Sequence, residues 1–413
     1  MISSLADPLR PAGSLRIYGQ APLGYERQVM SRARISAGAS LCLGLLAACS
    51  SDDDPAPAKA RLTAVTVNAG LAIGFVEASE ARAPKTIEAT LALKADVLCV
   101  QEFWRDDHVA ALVQGATRLP HRVIPEPEPG PTGAIPCQSG DTDALLQCVQ
   151  ANDCHLVCSD KLVTCGLDNC ASQLFALPPS CLGCVQANVG NSLDDILSAC
   201  EAPAIEYAYG GSFGIGLLSA HPIKSQEVKV LDSTTNRRAI AYALLDTPVG
   251  EVHAFCTHLT AVFSNLDYPK ATGSWEEEQA AQLDELIAWV ASKATGDANV
   301  LVLGDLNTGP AGSGYEAEVP QNYQKLVSAG FANPYTATSG HQCTYCADNP
   351  IVKKGNDDKT SVVIDHVLSR GFSGFTSRTE RVLEGTLSVE NCDETIVTGY
   401  SDHYGVSVTF TAP

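Results

Sequence analysis

Six segments of this sequence carry, at or beside an apolar run, a polar side chain of the kind that metal-assisted chemistry uses. Asn68 closes Thr63-Ala64-Val65-Thr66-Val67, and Glu102 follows Asp96-Val97-Leu98-Cys99-Val100-Gln101. His258 follows Val252-His253-Ala254-Phe255-Cys256-Thr257, and Asp305 and Asn307 follow Asn299-Val300-Leu301-Val302-Leu303-Gly304. Asp365 and His366 sit within Val363-Ile364-Asp365-His366-Val367-Leu368, and Asp402 and His403 precede the run Gly405 to Phe410. Runs of this length read as buried strands. A polar residue at a strand end points past the sheet edge, where loops gather into a cleft, so these ends can converge on one site. The set suits phosphoryl chemistry. Hard oxygen donors favour Mg²⁺, which takes one or two carboxylates together with phosphate oxygens and neutralises charge on the phosphate and the leaving oxygen. A carboxylate orients or deprotonates water, and a histidine or amide holds the phosphoryl oxygens as charge shifts.

Each residue taken singly has a plainer reading. Asp-x-Asn after a strand is often a turn, and His258 alone reads as a core histidine. Strand alternation turns His366 away from Asp365, so it reads as structural. Trp104 reads as packing, and Arg238 in Asn236-Arg237-Arg238-Ala239 as a strand residue that snorkels its charge outward. Arg237 or Arg238, with Arg238 favoured, is also the candidate for a phosphate-binding cation, and Tyr209 is a weaker candidate. The order of the motifs, not any one of them, favours chemistry.

The elements that must position these residues are strands. Arg61 to Val67, Asp96 to Val100, Gly214 to Leu218, Ala239 to Leu245, Val252 to Thr257, Val300 to Leu303, Val362 to Leu368 and Gly405 to Phe410 form the series. A helix is expected over Ile87 to Lys94. A second runs from Glu276 to Lys293, with Leu283, Leu286, Ile287 and Val290 at helical spacing. Many strands with a few helices between them predict a layered α/β or α+β domain over 61–413.

Residues 130–203 break this rhythm. A stiff Pro125-Glu126-Pro127-Glu128-Pro129-Gly130-Pro131 stretch leads into them, and nine of the chain's 16 cysteines lie between Cys137 and Cys200. The pentapeptides Cys148-Val149-Gln150-Ala151-Asn152 and Cys184-Val185-Gln186-Ala187-Asn188 echo each other, predicting two similar disulfide-pinned turns or short helices inside an inserted subdomain. An odd count of nine requires at least one cysteine to pair outside the insert or stay free. Zinc held by Cys181, Cys184, Cys343 and Cys346 is the competing expectation.

So many cysteines point to an oxidising compartment. The N-terminus agrees. Arg32 and Arg34 precede the short apolar stretch Ile35 to Ala48, and Leu46-Ala47-Ala48-Cys49 leads into Ser50-Ser51-Asp52-Asp53-Asp54. This resembles a bacterial lipoprotein signal over 1–49 in which Cys49 is acylated, with translation starting at Met1 or Met30; ordinary cleavage after Ala48 is the alternative. Residues 50–60 read as a tether. The expected location is the bacterial cell envelope, lipid-anchored, or the exterior. The 14 cysteines left after Cys42 and Cys49 can pair completely.

Val100-Gln101-Glu102, Thr257-His258-Leu259, Gly304-Asp305-Leu306-Asn307, Ile364-Asp365-His366 and Ser401-Asp402-His403-Tyr404 resemble, in order, the motifs of the endonuclease/exonuclease/phosphatase superfamily, from Leu62 to Phe410 with the insert interrupting. The resemblance implies a four-layer α/β/β/α sandwich with the site at one edge. It implies Glu102 as the principal Mg²⁺ ligand (Mn²⁺ or Ca²⁺ as substitutes), with Asn68 beside it and Asp402 near the metal. It implies His258 contacting the phosphate and protonating the leaving group, and Asp305 and Asn307 aligning the nucleophilic water and stabilising the pentacovalent state. It implies His403 on the scissile phosphate or as base, supported by Asp365. Which residue is the base stays open.

Composition narrows the substrate only partly. A formal net charge of −20 repels polyanions at long range, and no Lys/Arg cluster of the nucleic-acid-binding kind is present. Three segments, Thr257-His258-Leu259-Thr260-Ala261, Trp275-Glu276-Glu277-Glu278-Gln279 and Tyr400-Ser401-Asp402-His403-Tyr404, resemble sphingomyelinases more than deoxyribonuclease. The loop Val262 to Pro269, with Phe263, Leu266 and Tyr268, is a candidate lipid contact. A phospholipid head group is therefore the expected substrate. An extracellular endonuclease, a phosphomonoesterase, and an inactive sandwich carrying a cysteine-rich binding module are the alternatives. The membrane is an expected partner through the lipid anchor, and no protein partner is expected.

Overall fold

The computed structural model describes residues 59–128, 134–203, 207–263, 268, 270–338, 340, 342–355 and 360–413. The chain divides into two units, Met1–Ala56 and Pro57–Pro413. The first, with Met30 and the signal-like segment through Cys49, lies outside the described residues. So do Pro129, Gly130, Pro131 and Leu266.

Thirteen strands appear in the described residues: β1 Arg61–Asn68, β2 Val97–Gln101, β3 His121–Val123, β4 Gly216–Ser219, β5 Ile223–Leu231, β6 Arg238–Thr247, β7 Gly250–His258, β8 Asn299–Asp305, β9 Asp365–Arg370, β10 Thr376–Val382, β11 Thr386–Asn391, β12 Glu394–Gly399 and β13 Gly405–Thr411. One sheet has the order β10-β13-β1-β2-β4-β3 and another β5-β6-β7-β8-β9, and β11 and β12 form a separate hairpin. β1 runs parallel to β2 and β7 parallel to β8; the other pairings are antiparallel.

Period-two alternation splits each central strand between two interiors. Leu62 and Ala64 of β1, Val97 and Cys99 of β2, and Val406, Val408 and Phe410 of β13 meet Ala239, Ala241 and Ala243 of β6, Ala254 and Cys256 of β7, and Leu301 and Leu303 of β8 in the core between the sheets. The opposite faces are covered by helices. Val65, Val67, Leu98 and Val100 pack with Ala83 and Ile87 of α1 (Ser79–Ala92) and Leu112 of α2 (Asp106–Gly115). The helices of the insert are α3 (Asp143–Ala151), α4 (Ser159–Leu174), α5 (Pro179–Ala187) and α6 (Leu193–Cys200). Ile240, Tyr242, Phe255, Val300 and Val302 pack with Leu283, Leu286 and Val290 of α7 (Trp275–Lys293) and Leu326 of α8 (Pro320–Ser328). Helix, sheet, sheet and helix make the four layers that the motif order implied.

α1 begins eight residues before the expected Ile87. Its buried face includes Ser79, Arg82 and Thr86, so polar residues hide the apolar period there. The exposed edge strand β5 and the outer strand β10 were also absent from the expected series, because their side chains mostly face solvent and show no apolar alternation.

Seven disulfides pair all 14 cysteines of the described residues: Cys99–Cys256, Cys137–Cys181, Cys148–Cys170, Cys154–Cys165, Cys158–Cys392, Cys184–Cys200 and Cys343–Cys346. The zinc expectation is overturned: Cys181, Cys184, Cys343 and Cys346 are each oxidised and offer no thiolate. The odd cysteine of the insert is Cys158, which pairs with Cys392 at the tip of the β11–β12 hairpin. The repeated pentapeptide is a repeated structure. Cys148 near the end of α3 is stapled to α4, and Cys184 near the end of α5 to α6. In each copy the asparagine four residues later, Asn152 or Asn188, donates its side-chain amide back to that cysteine's carbonyl at 2.9 Å.

Candidate active site

β1, β2, β7 and β8 deliver the site residues at their carboxyl ends, and the register makes this necessary. Asn68 lies beside Gln101 in the parallel β1–β2 pair, with Glu102 next, and His258 lies beside Asp305 in the parallel β7–β8 pair. Asp365 faces Asp305 across the antiparallel β8–β9 pair. His403 arrives on the segment entering β13, which pairs with β1. Asn68 joins the two sheets: its amide donates to Asp305 Oδ2 at 2.9 Å and to Glu102 Oε1 at 3.3 Å.

Asp305 is the centre of the cluster. Its Oδ1 accepts from the backbone N–H of Asn307 at 2.9 Å. Its Oδ2 lies 3.4 Å from His258 Nε2 and 3.9 Å from His403 Nδ1. His403 Nδ1 is 2.9 Å from Asp365 Oδ2. Asp365 and His403 therefore form a buried pair beside a second carboxylate.

Burial and this crowding raise two carboxyls until they titrate near neutral pH. Burial, then the charge of Asp402, pushes Glu102 up to about 7. Burial, then Asp365, pushes Asp305 up to about 7. Burial works against a proton on His403, but Asp365, Asp402 and Asp305 override it and hold the imidazole well above its ordinary value. His403 is therefore a cation at neutral pH, donating from Nδ1 to Asp365. Burial, Arg238 and His403 hold His258 well below its ordinary value, so this ring is neutral. Both rings are buried; at His403 the surrounding carboxylates outweigh burial, whereas at His258 burial acts first and the cations Arg238 and His403 add to it.

Arg238 is 95% withdrawn from solvent, with 5% exposure, so it does not snorkel. Its Nε and Nη1 have no hydrogen-bond partner among the described residues. Burial lowers its pKa to about 10, which leaves it charged, within the fields of Asp305 and Glu102. A buried cation with unmet N–H donors is suited to an anion. The guanidinium lies 5.8 Å from the ring of Trp104, which stacks on Tyr209 at 5.0 Å.

Three of the ten described non-glycine residues with positive φ lie here. Glu102, Asn307 and Tyr209 adopt φ of +62°, +49° and +53°, a region that non-glycine residues rarely occupy. Gly70, at φ +56°, is required by proximity: a Cβ there would lie 2.2 Å from Asp402 Oδ1.

The donor set fits a divalent cation. Glu102 Oε2 and Asp365 Oδ1 are buried without a partner among the described residues. Asp305, Asp365 and His403 bring ligand-type atoms within 4.8 Å of one another. Of these, His403 is disfavoured as a ligand because it carries a proton and is committed to Asp365. Glu102, with its free oxygen, its partner Asn68 and nearby Asp402, offers harder and less occupied donors.

His366 behaves as strand alternation predicts. It bonds Thr308 O at 2.8 Å and Asn333 Nδ2 at 2.9 Å, and burial lowers its pKa to about 4. Of the loop 262–269, the described Phe263 and Tyr268 both pack edge-on against Trp275.

Several positioning residues escaped the sequence reading. Gln279 donates to the carbonyls of Thr260 and Asn307, both at 2.8 Å, fixing the strained Asn307 turn. Gln279 and Gln282 share the buried stripe of α7 with Leu283, Leu286 and Val290; amides on an apolar stripe are the signal that would have found them. Arg82, fully buried on α1, donates to the carbonyls of Gly70, Glu77 and Tyr400, bracing the Asp402 segment. Nothing in its local sequence distinguishes it from a surface arginine.

Carboxylates, two histidines in different electrostatic surroundings and a buried arginine thus meet at one edge of a four-layer sandwich, in a cluster that could hold a metal ion. The model of the endonuclease/exonuclease/phosphatase family matches residues 66–403, and the chain belongs to that family, whose members are generally hydrolases acting on phosphoesters. No curated protein matches the sequence. Among solved structures, sphingomyelinase C from Streptomyces griseocarneus shares 16% identity at a TM-score of 0.50, covering 86% of this chain and 99% of that one. A beta toxin from Staphylococcus aureus with bound magnesium ions shares 15% at a TM-score of 0.53, covering 86% and 100%. SmcL shares 13% at 0.52, covering 85% and 99%. These likenesses are in fold.

Proposed function

We propose that the chain is an exported Mg²⁺-dependent phosphodiesterase that cleaves a phospholipid head group. The observation that carries the reading is the convergence of Glu102, Asp305 and the Asp365–His403 pair on one point, with Asn68 bridging Glu102 to Asp305. Glu102, with Asn68 and Asp402 beside it, would hold the metal, which when bound supplies neutralisation of charge on the phosphate and the leaving oxygen. Asp305, with a pKa near neutrality, takes a proton from the attacking water as its oxygen bonds to phosphorus, and Asn307 fixes the carboxylate's orientation. Arg238 and the cationic His403 bind the phosphoryl oxygens as negative charge grows on them. Neutral His258 donates a hydrogen bond to the phosphate or the leaving oxygen. This refines the implied role, since a ring held neutral has no extra proton to give at pH 7. The P–O ester bond breaks in line, and the proton that Asp305 took from the attacking water returns through solvent to the departing oxygen, which leaves as a hydroxyl and resets the carboxylate.

Charge favours lipid over nucleic acid. The net charge is −20, and three cations on segments flanking the site are already paired: Arg105 with Glu80 and Asp107, Arg237 with Glu128, Lys270 with Asp232. The fold shared with a sphingomyelinase C supports the same choice. Seven disulfides support export, and Cys49 is the proposed site of acylation; absence of fatty acid on envelope-purified protein would remove the anchor. The substrate is tested with sphingomyelin vesicles, supercoiled DNA and bis-p-nitrophenyl phosphate, each in Mg²⁺ and in EDTA. Metal-dependent release of phosphocholine with intact DNA is expected. Nicked DNA with untouched vesicles would move the chain to the nucleases.

A further inference from the structure

The pair Cys343 and Cys346, which read as half of a zinc site, closes a four-residue loop against the catalytic histidine. The two residues inside that loop touch both members of the Asp365–His403 pair. Thr344 is fully buried, and its Oγ1 accepts the backbone N–H groups of Ile364 at 3.0 Å and Asp365 at 3.2 Å. Its carbonyl accepts the N–H of Tyr404, the neighbour of His403, at 2.8 Å. Tyr345 forms isolated β-bridges to Val362 on one side and His403 on the other. Its ring lies 5.2 Å from the His403 imidazole at an interplanar angle of 60°. Arg381 closes the outside of the loop, donating to Cys343 O at 3.0 Å.

This is the shortest loop that any of the seven disulfides closes, so it removes the least freedom from the unfolded chain. Its effect is local. The segments bearing Asp365 and His403 come from different sheets, and their hydrogen bond is only as well directed as the loop wedged between them. We infer that the Cys343–Cys346 loop is a positioning clamp for the Asp365–His403 pair, with Thr344 and Tyr345 as positioning residues that touch no substrate. The inference rests on the phosphodiesterase reading for its consequence in turnover, but its geometry is testable without turnover.

The experiment compares the wild type with Cys343→Ala/Cys346→Ala, and Thr344→Val with Thr344→Ser, in saturating Mg²⁺ on bis-p-nitrophenyl phosphate. The double variant and Thr344→Val are expected to lose kcat by about 10- to 100-fold with KM within about twofold, while Thr344→Ser, which keeps the hydroxyl, recovers most of the rate. In parallel, proton NMR of histidine-labelled protein follows the downfield Nδ1–H of His403 bonded to Asp365. That resonance is expected in the wild type and Thr344→Ser, and broadened or lost in the other two. An unchanged resonance in folded double variant overturns the clamp, whether or not the enzyme turns over. An inactive wild type that keeps the resonance, with loss in the double variant, instead removes the phosphodiesterase reading and leaves the clamp standing.

Discussion

Between the two sheets of the sandwich, the interior is mostly aliphatic, with Phe213, Tyr335 and Phe410 among the aliphatics and one cystine, Cys99–Cys256, joining β2 to β7. In the insert, Cys137, Cys154, Cys170, Cys181, Cys184 and Cys200 are themselves the buried core, with only a few aliphatics such as Leu145, Val149 and Leu177. The sandwich buries enough apolar surface to hold polar strand ends rigid at one edge. Four short helices cannot, and small units with too little core rely on disulfides. Covalent bonds in the insert therefore replace what packing does in the sandwich. The difference teaches where chemistry can sit: a site needing buried charge belongs on the region whose scaffold does not depend on that charge.

The sharpest way to use the contrast is to remove one functional side chain from the sandwich. His403→Ala is expected to lower kcat by about 10³-fold or more with near-native circular dichroism, because the sheets stand without it. A collapse of the fold would show that site and scaffold are not separable. Next in size, Cys99→Ala/Cys256→Ala should lower global stability by roughly 2–5 kcal/mol in a single cooperative transition read by urea denaturation. Cys184→Ala/Cys200→Ala should act locally instead. Limited proteolysis should cut within 179–200 while the sandwich stays resistant; a uniform loss of resistance would erase the distinction between the two regions.

The smallest expected effect is on stability and carries a sign. Glu102 and Asp305, raised from 4.5 and 3.8 to about 7, favour the folded state most when protonated. Their contribution is fully present below about pH 4 and is lost as pH rises through about 7. Glu102→Gln removes one of these charges. At pH 8 in EDTA its Tm should rise by a few degrees above wild type, with no difference at pH 4. In wild type, Mg²⁺ should raise Tm more at pH 8 than at pH 5, and Glu102→Gln should lose most of that increment.

Much of this architecture was legible because β1, β2, β7, β8 and β13 bury long apolar runs, and the residues of interest lie at their ends. The helix α7 showed its stripe for the same reason. What stayed hidden lacked such a period. α1 is anchored by Arg82, which reaches the carbonyls of nearby Gly70 and Glu77 and of Tyr400, 318 residues on, and β5 and β10 are edge strands with solvent-facing side chains. Nor could the charge states be read. His258 and His403 look alike in sequence, and only their neighbours, Arg238 for one and Asp365 for the other, set them apart. Disulfide connectivity was hidden too, since Cys158 pairs with Cys392 across 234 residues.

The central claim is that Asp305 is the hub of a metal-dependent phosphodiester-cleaving site. Its most direct test is the rate of bis-p-nitrophenyl phosphate hydrolysis as Mg²⁺ is titrated, in wild type and in Asp305→Ala. The account predicts a saturable Mg²⁺ dependence in the wild type and a loss of about 10³-fold or more in the variant at every Mg²⁺ concentration, with the fold retained. Hydrolysis by Asp305→Ala within tenfold of wild type would contradict it.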